Sequence, residues 1–179
     1  MLNLTVVIVI TVIVIIYMNY YIGNPLLPEK IVTKSSFEKI VDVDKKELFN
    51  VMADVEKYPV ILPKNYLFVR IINQTGNIIF AEEEIVEKGI KVKLIVKHTI
   101  YPYEKHILEV VSGDAESTVI TETFEETNRS TKLSTDMEMH LRGILVPFGF
   151  LAQNNLEHAM NIVIDSFVEY VKNQTMSQN

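Results

Sequence analysis

Residues 150–172 read FLAQNNLEHAMNIVIDSFVEYVK, and this stretch decides the fold. Its apolar residues fall at Leu156, Met160, Val163, Ile164, Phe167, Val168 and Val171. The steps are threes and fours with adjacent pairs, so the spacing predicts a helix from Phe150 to Lys172 with one broad apolar stripe. Glu157, Asn161, Asp165, Glu169 and Lys172 mark the opposite face. Such a helix needs an apolar surface on which to bury its stripe, and the preceding residues offer strands.

The clearest strand is Ile90 to Tyr101. Ile90, Val92, Leu94, Val96, His98 and Ile100 share one face, while Lys91, Lys93, Lys97 and Thr99 share the other. Lys132 to Leu141 alternates likewise, with Leu133, Thr135, Met137, Met139 and Leu141 opposed to Lys132, Ser134, Asp136, Glu138 and His140. Further strands are expected at Tyr66–Asn73, Asn77–Glu87, Glu104–Val111 and Ser117–Glu125. Turns at Thr75-Gly76-Asn77, Lys88-Gly89 and Ser112-Gly113-Asp114 separate several of them. Strands joined by short turns make an antiparallel meander, and alternation on one face leaves one side solvated and the other covered.

Upstream, Ser36 to Val43 reads as a first strand. Asp44 then sits where a helix N-cap would, with Glu47 three residues on. The helix carries Leu48, Phe49, Val51 and Met52. A second short helix runs from near Asp54 to Tyr58-Pro59, and Val60, Ile61, Leu62 and Pro63 close an apolar corner. The order is strand, two short helices, six strands, long helix. This is α+β, a curved antiparallel sheet of about seven strands around a long C-terminal helix.

Leu4 to Ile22 carries no charge, and nineteen residues at 1.5 Å rise span about 28 Å, close to a bilayer's hydrocarbon core. Tyr17, Tyr20 and Tyr21 cluster at its far end as an interfacial belt would. The short n-region and the absence of a small-residue cleavage site favour an uncleaved anchor over a signal peptide. The expected organisation is a transmembrane anchor over 1–23, a linker over 24–34, the domain over 35–174 and a tail over 175–179. Lys30, Lys34, Lys39, Lys45 and Lys46 follow the span and nothing basic precedes it, so the domain is expected on the cytoplasmic side of a single-pass membrane protein.

The net charge of −6 belongs to the domain, since no charged side chain precedes Glu29. An acidic domain without a Lys/Arg run repels phosphate backbones, so nucleic acid is not an expected partner. The chain has no cysteine, which excludes disulfides, thiolate metal sites and a Cys nucleophile. Its four histidines lack metal-type spacing, and no phosphate loop or nucleophile elbow is present. No metal and no cofactor are expected.

Phe37 to Val43 followed by Asp44-Lys45-Lys46-Glu47-Leu48-Phe49, then Asp54-Val55-Glu56-Lys57-Tyr58-Pro59 and Leu62-Pro63, resembles the helix-grip fold of the START and birch-pollen-allergen superfamily. The closest likeness is to its polyketide cyclase-like and coenzyme Q-binding group, over about 36–172. The chain departs from that group in its N-terminal span and in having Lys64-Asn65 after the corner, where a Trp often stands. The resemblance implies a cavity between sheet and long helix for an apolar guest such as a quinone, isoprenoid, sterol or acyl chain. Separately, a strongly curved sheet around one helix is hard to fill, and flexible Met137, Met139 and Met160 suit either an adaptable wall or plain core.

The cavity and its mouth are assigned to Tyr58, Ile61, Leu62, Phe80, Leu94, Val96, His98, Ile120, Met137, Met139, Phe148, Phe150, Met160, Ile164 and Phe167. Phe148 and Phe150, in the hinge Pro147-Phe148-Gly149-Phe150, would form a lid. His98 reads either as a headgroup contact or acid/base, or as a core histidine bonded to a neighbour. Glu82 or Glu84 shares parity with Phe80 and Ile78, and Glu122 lies between Ile120 and Phe124. Each is a candidate inward carboxylate, or a residue at a bulge or open rim. Arg70 has the same ambiguity. His140 and Arg142 fall on the solvated parity, and His158 lies near the helix's polar side.

Three functions are consistent with this reading. One is a membrane-tethered binder of a hydrophobic small molecule or lipid, with no assigned catalytic residue. The second is a cyclase or aromatase using His98 and an inward Glu. The third is a protein-interaction module, whose partner the residues do not name.

Overall fold

The computed structural model describes residues 28–87, 89–128, 130–150 and 153–176, together with Val12, Ile13 and Ile15, which are helical. The remainder of the expected 1–23 span lies outside the described residues. Among the described residues no helix is long and apolar enough to cross a membrane.

The chain forms β1 (Lys30–Val41), α1 (Lys45–Met52), a 3₁₀ turn (Val55–Lys57), α2 (Tyr58–Ile61) and β2 (Tyr66–Thr75). It continues through β3 (Ile78–Glu87), β4 (Ile90–Tyr101), β5 (Lys105–Ser112), β6 (Val119–Thr127) and β7 (Ser130–Arg142). A 3₁₀ segment (Gly143–Phe150) and α3 (Gln153–Met176) close it. The seven strands form one sheet in the order β1-β7-β6-β5-β4-β3-β2, and every neighbouring pair is antiparallel. Six strands follow one another as hairpins. β1 instead pairs with β7 from Lys30 opposite Arg142 to Val41 opposite Thr131, so α1 and α2 carry the chain from one sheet edge to the other.

Asp44 caps α1 as expected, its carboxylate accepting from the backbone N–H groups of Lys46 (2.8 Å) and Glu47 (3.1 Å). This satisfies two of the four amide donors that a helix start leaves unpaired. β1 and the long helix are bounded differently from expectation. β1 begins at Lys30, within the expected 24–34 linker, and ends at Val41. Its inward residues at that end are Ile31, Thr33 and Ser35, too mixed in polarity to announce a strand, and pairing with β7 supplies what alternation lacks. The long helix begins at Gln153 rather than Phe150 and extends to Met176. Phe150 ends a 3₁₀ segment that contains Pro147, whose missing N–H disfavours an α-helical ladder there.

The interior holds two apolar clusters. The first joins Leu48, Phe49, Val51, Met52, Tyr58, Ile61 and Leu62 to Val41, Ile79, Phe124, Leu133 and the helix residues Ile164, Phe167 and Val171. The second joins Val92, Leu94, Val96, Val110, Ala115, Leu141 and Leu145, with Ile31, Ile85, Leu108, Met139 and Phe148 packed against it. Gly113 fixes the turn beside this second cluster. Its φ is +109°, and a Cβ there would meet Leu94 Cδ2 and the Lys93 carbonyl oxygen at 2.8 Å.

Candidate functional site

The two clusters are divided by a line of polar side chains on the inner face of the sheet. On β3, Glu83 lies between Ile79 of the first cluster and Ile85 of the second. On β4, His98 lies between Ile100 and Val96, and on β7, Thr135 lies between Leu133 and Met139. On β1, Ser35 lies between Phe37 and Ile31. His106 on β5 stands directly opposite Glu122 on β6, which stands opposite Thr135. The period-two geometry of each strand puts all six on one face, in a row across six neighbouring strands.

Four members form a continuous hydrogen-bonded chain. Glu83 Oε1 meets His98 Nε2 at 2.8 Å, His98 Nδ1 meets His106 Nε2 at 3.0 Å, and His106 Nδ1 meets Glu122 Oε2 at 3.1 Å. Both imidazoles are fully buried, Glu83 nearly so, and Glu122 keeps 12% of its side chain exposed. Each of the three contacts needs one proton between its two heavy atoms, whichever tautomers are drawn. Two neutral imidazoles supply two protons. The third gives the fully bonded chain a net charge of −1. A fourth on a ring nitrogen would set two N–H groups head to head between the rings, and removing one would leave two lone pairs facing each other. Hydrogen-bond geometry therefore fixes three protons within the row, which carries a net charge of −1 when the outer oxygens of Glu83 and Glu122 are bare.

Ser35 Oγ and Thr135 Oγ1 are buried and have no hydrogen-bond partner. Their residues are 8% and 1% exposed, so neither hydroxyl turns to solvent. Unbonded buried hydroxyls each cost about 1–3 kcal/mol. Above the row, Tyr58 ties α2 to the sheet and the long helix. Its ring meets His98 at 6.3 Å and Phe167 at 5.7 Å between centroids, and its hydroxyl donates to the Met52 carbonyl at 2.8 Å. Burial, reinforced by the Glu122 and Glu83 carboxylates, pushes the phenols of Tyr58 and Tyr66 well above their ordinary value.

The residues assigned from sequence distribute unevenly. Tyr58, Ile61, Leu62, Ile164 and Phe167 are buried in the first cluster, and Leu94 and Val96 in the second. His98 lies in the dividing row, and Met137, 4% exposed, follows Thr135 on the same face of β7. Ile120 stands opposite Met137 and Leu108, and Met139 is half-buried against the second cluster. Phe148 packs there too, whereas Phe150 is 58% exposed. Met160 is half-buried.

Phe80 requires a correction. Ile79, Ala81 and Glu83 face inward, so Phe80 lies on the outer face, opposite Lys97. The same parity removes Glu82 and Glu84 from the interior. They pair with Arg70 and Lys93 on the outer face. Glu122 does face inward. Glu83 and His106 are the site residues that sequence reasoning missed. His106 shares parity with Leu108 and Val110, and Glu83 with Ile79 and Ala81, so alternation carried the signal for both. His140 bonds to Glu138, and His158 is exposed.

Among the described residues no group of His, Asp and Glu side chains is arranged to hold a metal ion. In the row itself both nitrogens of each imidazole are already bonded. A separate surface hollow of about 320 Å³ lies between α1 and the end of α3, lined by Asp42, Val43, Glu47, Val171, Lys172, Thr175 and Met176. None of the row's residues touches it.

A family model described as polyketide cyclase / dehydrase and lipid transport matches residues 41–163. No curated protein matches the chain by sequence. Solved structures match its fold. A protein from Thermus thermophilus superposes with a TM-score of 0.64 at 14% identity, covering 82% of this chain and 99% of its own. The ZhuI aromatase/cyclase of a Streptomyces species gives 0.64 at 11% identity, covering 81% and 96%. A START superfamily protein from Mycobacterium smegmatis gives 0.59 at 12% identity, covering 82% and 99%. At these identities the likeness is one of fold.

Proposed function

This chain belongs to the polyketide cyclase/dehydrase and lipid-transport family, and on that premise we propose that it binds a hydrophobic molecule between its sheet and long helix. The observation that carries the reading is the polar row dividing two apolar clusters, with the buried hydroxyls of Ser35 and Thr135 left unpaired. A guest whose apolar body lies along the clusters and whose polar end reaches the row would supply the missing bonds. The family description names lipid transport, and quinones, isoprenoids and other lipids fit that body. Met137, Met139 and Met160 would adapt to it. We place the site on the inner residues assigned from sequence, without Phe80.

The uncharged run Leu4–Ile22 supports a single-span tether in the membrane, with the domain held close to the lipid from which a guest would enter. The lysines after it support a cytoplasmic domain. The chain is free of cysteine, so one introduced Cys on each side of the run would report sidedness by labelling with an impermeant maleimide. Labelling of the domain cysteine in intact cells would refute the cytoplasmic placement.

The test of the main reading is native mass spectrometry of the full chain extracted from its host membrane in mild detergent. An apolar adduct of defined mass, lost on organic extraction and regained on adding lipid extract, is the expected result. A bare mass that takes up nothing from that extract overturns it.

The buried Glu–His–His–Glu chain also favours a second reading, a cyclase- or dehydrase-type enzyme. Glu122, the member with residual exposure, would exchange a proton with the guest, and the two imidazoles would pass charge along the row. Recovery of the added compound unchanged in mass and retention time after prolonged incubation would exclude this.

A further inference from the structure

Resting on the binding reading above, we infer that the guest is neutral and ends in a hydroxyl, and that lipids ending in a carboxylate or phosphate are excluded. Two observations carry this. The first is the charge of the row. Its three hydrogen bonds, Glu83–His98, His98–His106 and His106–Glu122, take three protons between two carboxylates and two imidazoles, so with the outer carboxylate oxygens bare it presents a net negative charge to anything beside it. It faces an interior in which charges of one sign repel strongly. Described ion pairs involving Lys34, Lys39, Lys97 and Lys132 bind those lysines to carboxylates elsewhere, so they do not neutralise it. The second observation is the end of the row. Glu122 uses Oε2 for His106 and keeps its other oxygen as an acceptor, and Thr135 stands opposite it with a free hydroxyl. Ser35 adds a second hydroxyl two positions from Thr135's partner Phe37.

An acceptor carboxylate opposite a free hydroxyl wants a ligand that donates one hydrogen bond and accepts another. An alcohol or phenol does both. A ketone or ester only accepts, leaving Glu122 unmatched. A fatty carboxylate brings a second negative charge next to the first.

Equilibrium dialysis of the full chain, purified in mild detergent and delipidated, tests this with three probes of one chain length at pH 8. They are hexadecan-1-ol, methyl hexadecanoate and hexadecanoate. The alcohol should bind at least about tenfold more tightly than the carboxylate, the least that charge repulsion in a partly desolvated site would produce, and more tightly than the ester. Thr135→Val should weaken the alcohol and the ester alike, since both accept from that hydroxyl. Glu122→Gln should shrink the penalty on the carboxylate. If it does not fold, Thr135→Val alone carries the test. Carboxylate binding as tight as alcohol binding overturns the inference and leaves the binding reading standing. Ester binding as tight as alcohol binding overturns the hydroxyl assignment. Failure of all three probes to bind overturns both.

Discussion

His98 and His106 stack with ring centroids 5.2 Å apart and 23° between planes, and His98 Nδ1 meets His106 Nε2 at 3.0 Å. Neither ring reaches water, so each depends on the other and on the carboxylate behind it. Replacing one partner of such a chain strands the rest. His98→Phe should destabilise the domain by about 3–5 kcal/mol, because Glu83 then loses its partner in the interior. The paired change Glu83→Leu with His98→Phe should recover more than half of that loss, since an apolar pair of similar volume carries no desolvation penalty. Urea unfolding of the four proteins measures both. Additive losses would mean that the two side chains are not coupled.

Tyr58 and Tyr66 set the alkaline limit. Their phenols are held well above the ordinary phenol value, chiefly by burial. A raised folded value contributes stability that is fully present below pH 10 and is lost as pH rises through the folded values. The domain should therefore unfold steeply in alkali. Two of its eight tyrosines should ionise, by absorbance near 295 nm, only as it unfolds. Tyr58→Phe should flatten that limb, while costing about 1 kcal/mol at neutral pH through the lost bond to the Met52 carbonyl. At the acid end the sign reverses. Lys132 beside Glu38 and Lys34 beside Glu138 hold those carboxyls below 4.5, giving stability that is lost as pH falls through their folded values. Both pairs are exposed, so added salt should erase this second effect and leave the first.

How much of this was legible in the sequence depends on the strand. β4 declared itself, since Ile90 to Ile100 alternate cleanly against lysines. β7 did so equally, and both placed His98, Met137 and Thr135 correctly on the inner face. β3 did not. Its four residues Ile78–Ala81 are all apolar and Glu82–Glu84 are all acidic, so both parities look alike until partners are known. Arg70 and Lys93 take Glu82 and Glu84 outward, and His98 takes Glu83 inward. That choice is tertiary, and it is why Phe80 and the inner glutamate were misplaced together. The closure of β1 onto β7 is likewise a long-range pairing that no local pattern encodes.

Gly113 tests the turn that holds the second cluster in register. Its φ of +109° is one an alanine rarely adopts, and the added Cβ would strike Leu94 and the backbone of Lys93. Gly113→Ala should cost about 2 kcal/mol or more, combining backbone strain with the displacement of Leu94. The Tm should fall with no change in the alkaline limb, because Tyr58 belongs to the other cluster. Gly76, with open space where a Cβ would point, provides the control, and Gly76→Ala should pay only the cost of its positive φ of 58°.

The long helix is buried unequally along its length, and this separates stability from binding. Ile164, Phe167 and Val171 are 1–3% exposed and pack with α1 and α2 in the first cluster. Leu156 and Met160 lie on the same stripe one to four turns earlier, yet both are only half-buried. An apolar stripe that continues past its packing partners has surface to give to a guest. Phe167→Ala removes a packed ring and should cost about 3–5 kcal/mol whether or not a ligand is present. Met160→Ala empties a site that the apo domain barely fills. It should cost less than about 1 kcal/mol in urea unfolding, because little area returns to water. In the alcohol-binding measurement the order should invert, with Met160→Ala weakening affinity severalfold at nearly unchanged apo stability. A Met160→Ala protein as destabilised as Phe167→Ala, and unaltered in binding, would place that end of the helix in the core and move the guest elsewhere.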